Sequence, residues 1–245
     1  MRHTDQIYGL RAILEAIDSK KPINKVYLQK GAKGDLFKEL EHAIRKQGIS
    51  SSYVPIDKLN RLTQNNHQGA VAQISPVAFQ EFEPLMNSIL EQKATPLLLL
   101  LDQVTDVRNF GAIIRTAECT GVDAIIISKS GSAPINDDTI KTSAGAAFKV
   151  PITKVDHLKD AIFYLQASNI QLVGATEKTE AAIYQIDFKL PTAIIMGSED
   201  RGISTSIFKL LDKTAKLPLM GEIGSLNVSV ACGVVLYEVV RQRNF

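Results

Sequence analysis

At 245 residues, with 45% hydrophobic and 22% charged residues, the chain has the composition of one large or two modest globular domains. A net charge of +2 excludes a bulk electrostatic attraction to nucleic acid, so any RNA-binding surface must be a local patch. The longest apolar run, Leu97 to Leu101, is far too short to span a membrane, and Met1 to Asp5 has no apolar signal core behind it; a cytoplasmic protein is expected.

Leu10, Ile13, Leu14 and Ile17 recur at helical spacing, which predicts a helix from Gly9 to Ile17. Lys25 to Gln29 follows as a strand. Asp35 to Gln47 repeats the helical pattern through Leu36, Leu40 and Ile44 and stops at Gly48. Ser52 to Pro55 predicts a second strand, Ile56 to Leu62 a short helix, and Gly69 to Ile74 a third strand. From Phe79 to Pro96 the chain turns acidic and loses its periodicity, with Leu85, Ile89 and Leu90 suggesting a connecting helix. This divides the chain into a small α/β domain over residues 1–78, a linker over 79–96 and a second domain over 97–245.

Leu97 to Leu101 reads as a strand buried on both faces of a parallel sheet. Asn109, Phe110 and Gly111 lead into a helix over Ala112 to Thr120, stopped by Gly121, and Ala124 to Ile127 is the next strand. Asn136 to Asp138 caps a helix running through Thr139 to Phe148, and Asp156 to Ala167 is another. Strands follow at Ile170 to Ala175 and Thr192 to Met196, then a helix at Ser204 to Leu211. The end of the chain reads as a short apolar strand from Lys216, a tight loop carrying Gly221 and Gly224, and a long apolar helix capped by Ser225 with Asn227 in its first turn. Alternating strands and helices imply a parallel sheet covered on both faces. Cys119 and Cys232 both fall in apolar helix patterns and read as buried, reduced thiols.

Three polar, glycine-bearing loops follow buried strands: Asp102 to Gly111, Gly197 to Ser204, and Leu219 to Asn227. Open α/β sheets place ligands at such positions. Nucleotide motifs fail there, because Ile203 stands where a phosphate loop starting at Gly197 needs lysine, and no Gly-x-Gly-x-x-Gly turn follows the first long strand. The histidines His3, His42, His67 and His157 are scattered, no spacing suggests a metal, and His67 beside Gln68 and Gly69 reads as a turn residue. Arg115 interrupts an apolar helix near its start, where a cation opposes the macrodipole; a solvated arginine and a functional or paired one both satisfy the pattern. Glu199 alone reads as a capping or dipole-stabilising carboxylate.

Taken together, Asn109 to Ala117, Met196 to Ile203, and Leu217 to Leu219 through Ser225 to Ala231 resemble, in order, the three motifs of the SpoU (TrmH-like) RNA ribose 2′-O-methyltransferases of the SPOUT superfamily. Ile7-Tyr8-Gly9 and His67-Gln68-Gly69 resemble that family's ribosomal-protein-like (L30e-like) substrate-binding domain, a two-part plan most similar to the methyltransferases of 23S rRNA guanosines. The resemblance implies an α/β SPOUT domain with a deep trefoil knot, a homodimer joined through that domain, S-adenosyl-L-methionine as methyl donor and RNA, 23S rRNA above all, as substrate. The alternatives are a transfer RNA substrate, or an RNA-binding or ribosome-assembly protein that keeps the fold without catalysis. It assigns donor contacts to the backbone of Gly197, Leu217 and Leu226, and functional positions to Asn109, Arg115, Glu199, Ser225 and Asn227. The roles that follow are Arg115 as phosphate clamp, Asn109 positioning Arg115 or the ribose, Glu199 ordering its loop through backbone N–H groups, and Ser225 and Asn227 holding the target. Lys20, Lys21, Lys30, Lys33 and Arg61 could contact phosphate or could be ordinary solvated charges.

Overall fold

The computed structural model describes residues 6–245. The start Met1 to Asp5, with His3, lies outside the described residues. Two compact units emerge: residues up to Ala78 together with Pro134–Asn136, and Phe79–Ala133 together with Asp137–Phe245.

The first unit runs β1 (Gln6–Tyr8), α1 (Leu10–Asp18), β2 (Ile23–Gln29), α2 (Asp35–Lys46), β3 (Ser51–Val54), α3 (Ile56–Leu62) and β4 (Ala70–Ile74). Its sheet has the order β1-β4-β2-β3, with β2 and β3 parallel and the other pairs antiparallel. Side chains alternate along β2, so Val26 and Leu28 bury against Ile13 and Ile17 of α1 and Phe37, Leu40 and Ile44 of α2. Tyr27 points the other way, toward Leu59 and Leu62 of α3. Strand β1 was not foreseen: three residues are too few to show a period, and the strand exists by pairing Ile7 with Ala72 of β4. His67 is the turn residue expected. Its Nδ1 accepts from the N–H of Gly69 at 3.0 Å, which leaves Nε2–H to donate to Asn60 Oδ1 at 2.9 Å.

The second unit runs α4 (Phe82–Gln92), β5 (Leu97–Leu101), α5 (Val107–Cys119), β6 (Ala124–Ser128), α6 (Asp137–Thr142), β7 (Ile152–Val155), α7 (Leu158–Ala167), β8 (Gln171–Ala175), β9 (Thr192–Met196), α8 (Thr205–Phe208), β10 (Lys213–Ala215) and α9 (Val228–Asn244). All six strands are parallel, in the order β10-β8-β9-β5-β6-β7. Strand β5 is central and buried along its whole length. Leu98 and Leu100 pack with Leu85 and Met86 of α4 and with Ala161, Ile162 and Leu165 of α7. The alternation of a strand turns Leu97, Leu99 and Leu101 to the opposite face.

Several expectations are corrected. The helix expected through Phe148 stops at Thr142, because Ala144 and Gly145 take left-handed backbone angles (φ 50° and 82°). The chain then returns as β7, which was not foreseen. The last strand is Lys213–Ala215 rather than an apolar strand from Lys216, and residues 216–227 form neither strand nor helix. Asn227, not Ser225, caps α9. Gly221 and Gly224 have neither a positive φ nor any atom within 4 Å of an added Cβ, so the loop does not depend on them. Cys232 is buried, but Cys119 is exposed. No described helix is long and apolar enough to cross a membrane.

Candidate active site

Each of the three expected loops is fixed by a local device. Asp106 accepts from the N–H groups of Arg108 and Asn109 at 2.9 and 2.8 Å, which starts α5 at Val107 and holds Asn109 in its first turn. After β9 the chain doubles back, with Ser198 N–H donating to Gly202 O at 3.2 Å and Gly202 N–H to Ser198 O at 2.9 Å. Only glycine fits at position 197, since a Cβ there would lie 2.1 Å from both Gly202 C and Ile203 N. The buried Asp102 carboxylate ties the end of β5 to this loop by accepting from Ser204 N–H at 2.7 Å. At α9, Asn227 Oδ1 accepts from the N–H groups of Ser229 and Val230 at 3.0 and 3.4 Å.

These devices bring three side chains, distant in sequence, into one node. Asn109 Nδ2 donates to Glu199 Oε1 at 2.8 Å. Asn227 Nδ2 donates to the same Glu199 oxygen at 2.6 Å and to Asn109 Oδ1 at 3.0 Å. A carboxylate accepting two amide N–H groups makes charge-assisted bonds, the stronger kind. The node is open to solvent, so it aligns the loops more than it stabilises the fold. Among the described residues, Glu199 is thus held by side-chain amides rather than by backbone N–H groups, and Asn109 bonds Glu199 and Asn227 rather than Arg115. Arg115 is exposed on α5 and, among the described residues, makes no hydrogen bond or ion pair.

One residue before Asn227, the chain walls a cavity of about 90 Å³ lined by Met196, Leu217, Leu219, Ser225 and Leu226, with Thr176 and Glu177 at its polar side. Leu217 and Leu226, expected as donor contacts, both line it. Gly197 is not part of this wall, and Ser225, expected to hold the target, is. Among the described residues, no backbone hydrogen bond holds Leu217 to Leu226. A loop with free N–H and C=O groups beside leucine side chains suits a flat heteroaromatic ring, whose edge needs donors and acceptors and whose faces need apolar contact. That is the chemistry of the adenine in S-adenosylmethionine, so these residues fit the donor that the motifs imply.

A second cavity, of about 890 Å³, opens over the carboxyl ends of β5, β6 and β9 and the start of α7. It shares Ser198 and Asp200 with the Glu199 loop and Gln103 and Thr105 with the segment leading to Asn109. Nothing in the sequence pattern pointed to its α7 wall, because β7, which delivers that wall, was not recognised. Asp106 and Asp102 were missed too; an Asp before a helix start is a signal that could have found the first. Burial pushes the Cys232 thiol up to about 12, which makes it inert. Among the described residues, no group of three His, Cys, Asp or Glu side chains could hold a metal ion.

Residues 96–237 match the SpoU rRNA Methylase family, and residues 6–80 match the family described as RNA 2′-O ribose methyltransferase substrate binding. The chain is 33% identical over 243 residues to an uncharacterised tRNA/rRNA methyltransferase of Synechocystis, covering 98% of this chain but only 63% of that protein's length. It is 32% identical over 241 residues to YacO of Bacillus subtilis, named a TrmH family tRNA/rRNA methyltransferase, covering 98% of this chain and 96% of that one. Among solved structures, the SpoU methyltransferase AviRb of Streptomyces viridochromogenes in complex with AdoMet shares the fold with a TM-score of 0.60 at 24% identity, over 97% of this chain and 90% of that one.

Proposed function

The chain belongs to the SpoU rRNA Methylase family, and from that premise we propose that it methylates a ribose 2′-hydroxyl of RNA, a guanosine of 23S rRNA, using S-adenosylmethionine in the cytoplasm. The observation that carries this reading is the Asn109–Glu199–Asn227 node, set one residue from the leucine-walled cavity. Residues 1–78 are taken as the RNA-binding part and 97–245 as the catalytic part, joined by 79–96. The family resemblance further supports a deep trefoil knot in the second unit.

When bound, the donor supplies an electrophilic methyl group on a sulfonium. Leu217, Leu219 and Leu226 would hold its adenine, with the unbonded backbone of the same loop reading the ring edge. Asn109, Glu199 and Asn227 are positioning residues: they lock three loops so that the ribose oxygen is presented in line with the methyl group. A neutral hydroxyl is a poor nucleophile and must lose or share its proton. Arg115 does not take that proton, because a guanidinium offers N–H donors and no acceptor. It clamps a phosphate of the target nucleotide and stabilises the developing oxyanion, while a phosphate oxygen or a water accepts the proton.

A homodimer completes this site. Helix α9 buries Cys232, Val235, Leu236 and Val239 within the unit, yet leaves Val230, Val234 and Tyr237 52%, 39% and 56% exposed. A helix apolar on both sides calls for cover on both sides. A second copy on that face would also give the unpartnered Arg115 a neighbouring site to act in.

The test is transfer of tritiated methyl from the donor to purified ribosomal and transfer RNA. Arg115→Ala should lose transfer by roughly 100-fold or more while donor binding persists. A forked, two-bond grip on the phosphate is what distinguishes Arg115 from a lysine, so near-full activity of Arg115→Lys would overturn the clamp. Label appearing in transfer RNA alone would overturn the ribosomal assignment.

A further inference from the structure

The cavity of about 890 Å³ shares no lining residue with the smaller one proposed for the donor's adenine. Its charge balance argues against a phosphate. Asp156, Asp160 and Asp200 line it against Lys159 and Arg201, and Lys129 already pairs with Asp156 at 3.0 Å. Two neighbours on α7 give it a different character. Phe163 sits on the cavity wall and is 52% exposed, so an aromatic face is open to whatever occupies the cavity. Asp160, three residues earlier and therefore on the same helix face, makes no ion pair or side-chain hydrogen bond among the described residues. Dipole stabilisation explains a carboxylate in the first turn of α7, but it does not explain the ring beside it.

An open aromatic face next to a free carboxylate matches the two surfaces of a nucleobase. The ring stacks on any base, and the carboxylate accepts from a base edge that carries adjacent N–H groups, which guanine has. The cavity is also walled by Gln103 and Thr105, which lead to Asn109, and by Ser198 and Asp200, which flank Glu199, so it adjoins the segments that carry the node. We propose that this cavity receives an unstacked purine of the substrate RNA, adjoining the methylated ribose, stacked on Phe163 and held at its N–H edge by Asp160. This rests on the RNA methyltransferase reading and names where that RNA's sequence is sensed.

The experiment uses the full-length protein and two readouts. Steady-state methyl transfer to ribosomal RNA is measured for wild type, Phe163→Ala and Asp160→Asn, with donor binding and thermal unfolding as controls. Separately, an oligoribonucleotide carrying photoreactive 6-thioguanosine is crosslinked to the wild type and the tagged peptide is mapped. Phe163→Ala should raise the RNA KM roughly tenfold or more, the size of one lost stacking contact, with donor affinity unchanged. Asp160→Asn should weaken binding less and relax the preference for guanine over adenine beside the target. The crosslink should fall within residues 156–163. Folded variants with wild-type KM for RNA, or a crosslink mapping elsewhere, would overturn the base site. A wild type that transfers no methyl but still crosslinks at 156–163 would overturn the enzymatic reading and leave the base site standing.

Discussion

The side chain of Asn227 is divided between two jobs: its oxygen caps α9, and its nitrogen reaches Asn109 and Glu199. Such a residue couples a helix start to a site, which is why a family motif could locate it while propensity placed the cap two residues early, at Ser225. Asn109 and Glu199 were legible for the same reason, as members of motifs. Their mutual bonding was not, because sequence spacing says nothing about which of several loops meet. Lys154 shows what lies outside any motif. It is mostly desolvated on β7, with Nζ 3.8 Å from the centre of the Phe79 ring, and burial pulls its pKa down to about 8. Between about pH 8 and the unfolded lysine value the unfolded chain binds more protons, so this group adds stability as pH rises through that range and costs stability below it. Lys154→Met should therefore be more stable than wild type at pH 7, by about 1–3 kcal/mol, with the gap closing by about pH 10.5. Denaturant unfolding at both pH values checks it.

At the scale of elements, the strands that escaped sequence reading share a position. β7 and β10 are the two edges of the six-stranded sheet, and β1 is an edge of the smaller one. A central strand such as β5 is buried on both faces and shows as a continuous apolar run. Strands β1 and β10 are partly solvated, so Lys213-Thr214-Ala215 carries no such mark and is recognisable only through its pairing with β8. Strand β7 is largely buried but is four residues long, with polar Thr153 and Lys154 inside it. The apolar Leu217, Leu219 and Met220 drew the expected strand past it, although their side chains face a cavity or solvent. The loop after β9 is equally a matter of contact rather than pattern. Gly197→Ala would drive a methyl group into the Gly202–Ile203 peptide, and backbone there cannot swing aside as a side chain would. The variant should lose roughly 2 kcal/mol or more of stability in denaturant unfolding and, by displacing Glu199, most of its methyl transfer.

At the scale of the whole molecule, an α/β chain with a parallel sheet and a separate N-terminal unit was legible from alternation of element types. The threading proposed for the second unit was not, because hydrophobic period records which faces are covered and not which segment passes through which loop. The face offered for the proposed dimer, unlike the dimer itself, was not implied by the motifs. Val230, Val234 and Tyr237 read in sequence as more of an apolar helix, and their exposure appears once the opposite face of α9 is seen to be filled. Val234→Asp should yield a monomer by light scattering at concentrations where the wild type is a dimer, with methyl transfer reduced at least tenfold if Arg115 acts across the interface.

The stretch from Leu217 to Leu226 has consequences for how fast its amides trade protons with water. With no backbone partner to shield them, they should exchange within seconds in deuterium oxide, like those of an unfolded peptide, while β5 and β9 hold theirs for hours. Saturation with S-adenosylmethionine should slow the loop selectively in mass-resolved exchange. The ordering penalty would fall on donor capture, so tightening this loop by mutation should strengthen donor affinity without touching the chemical step.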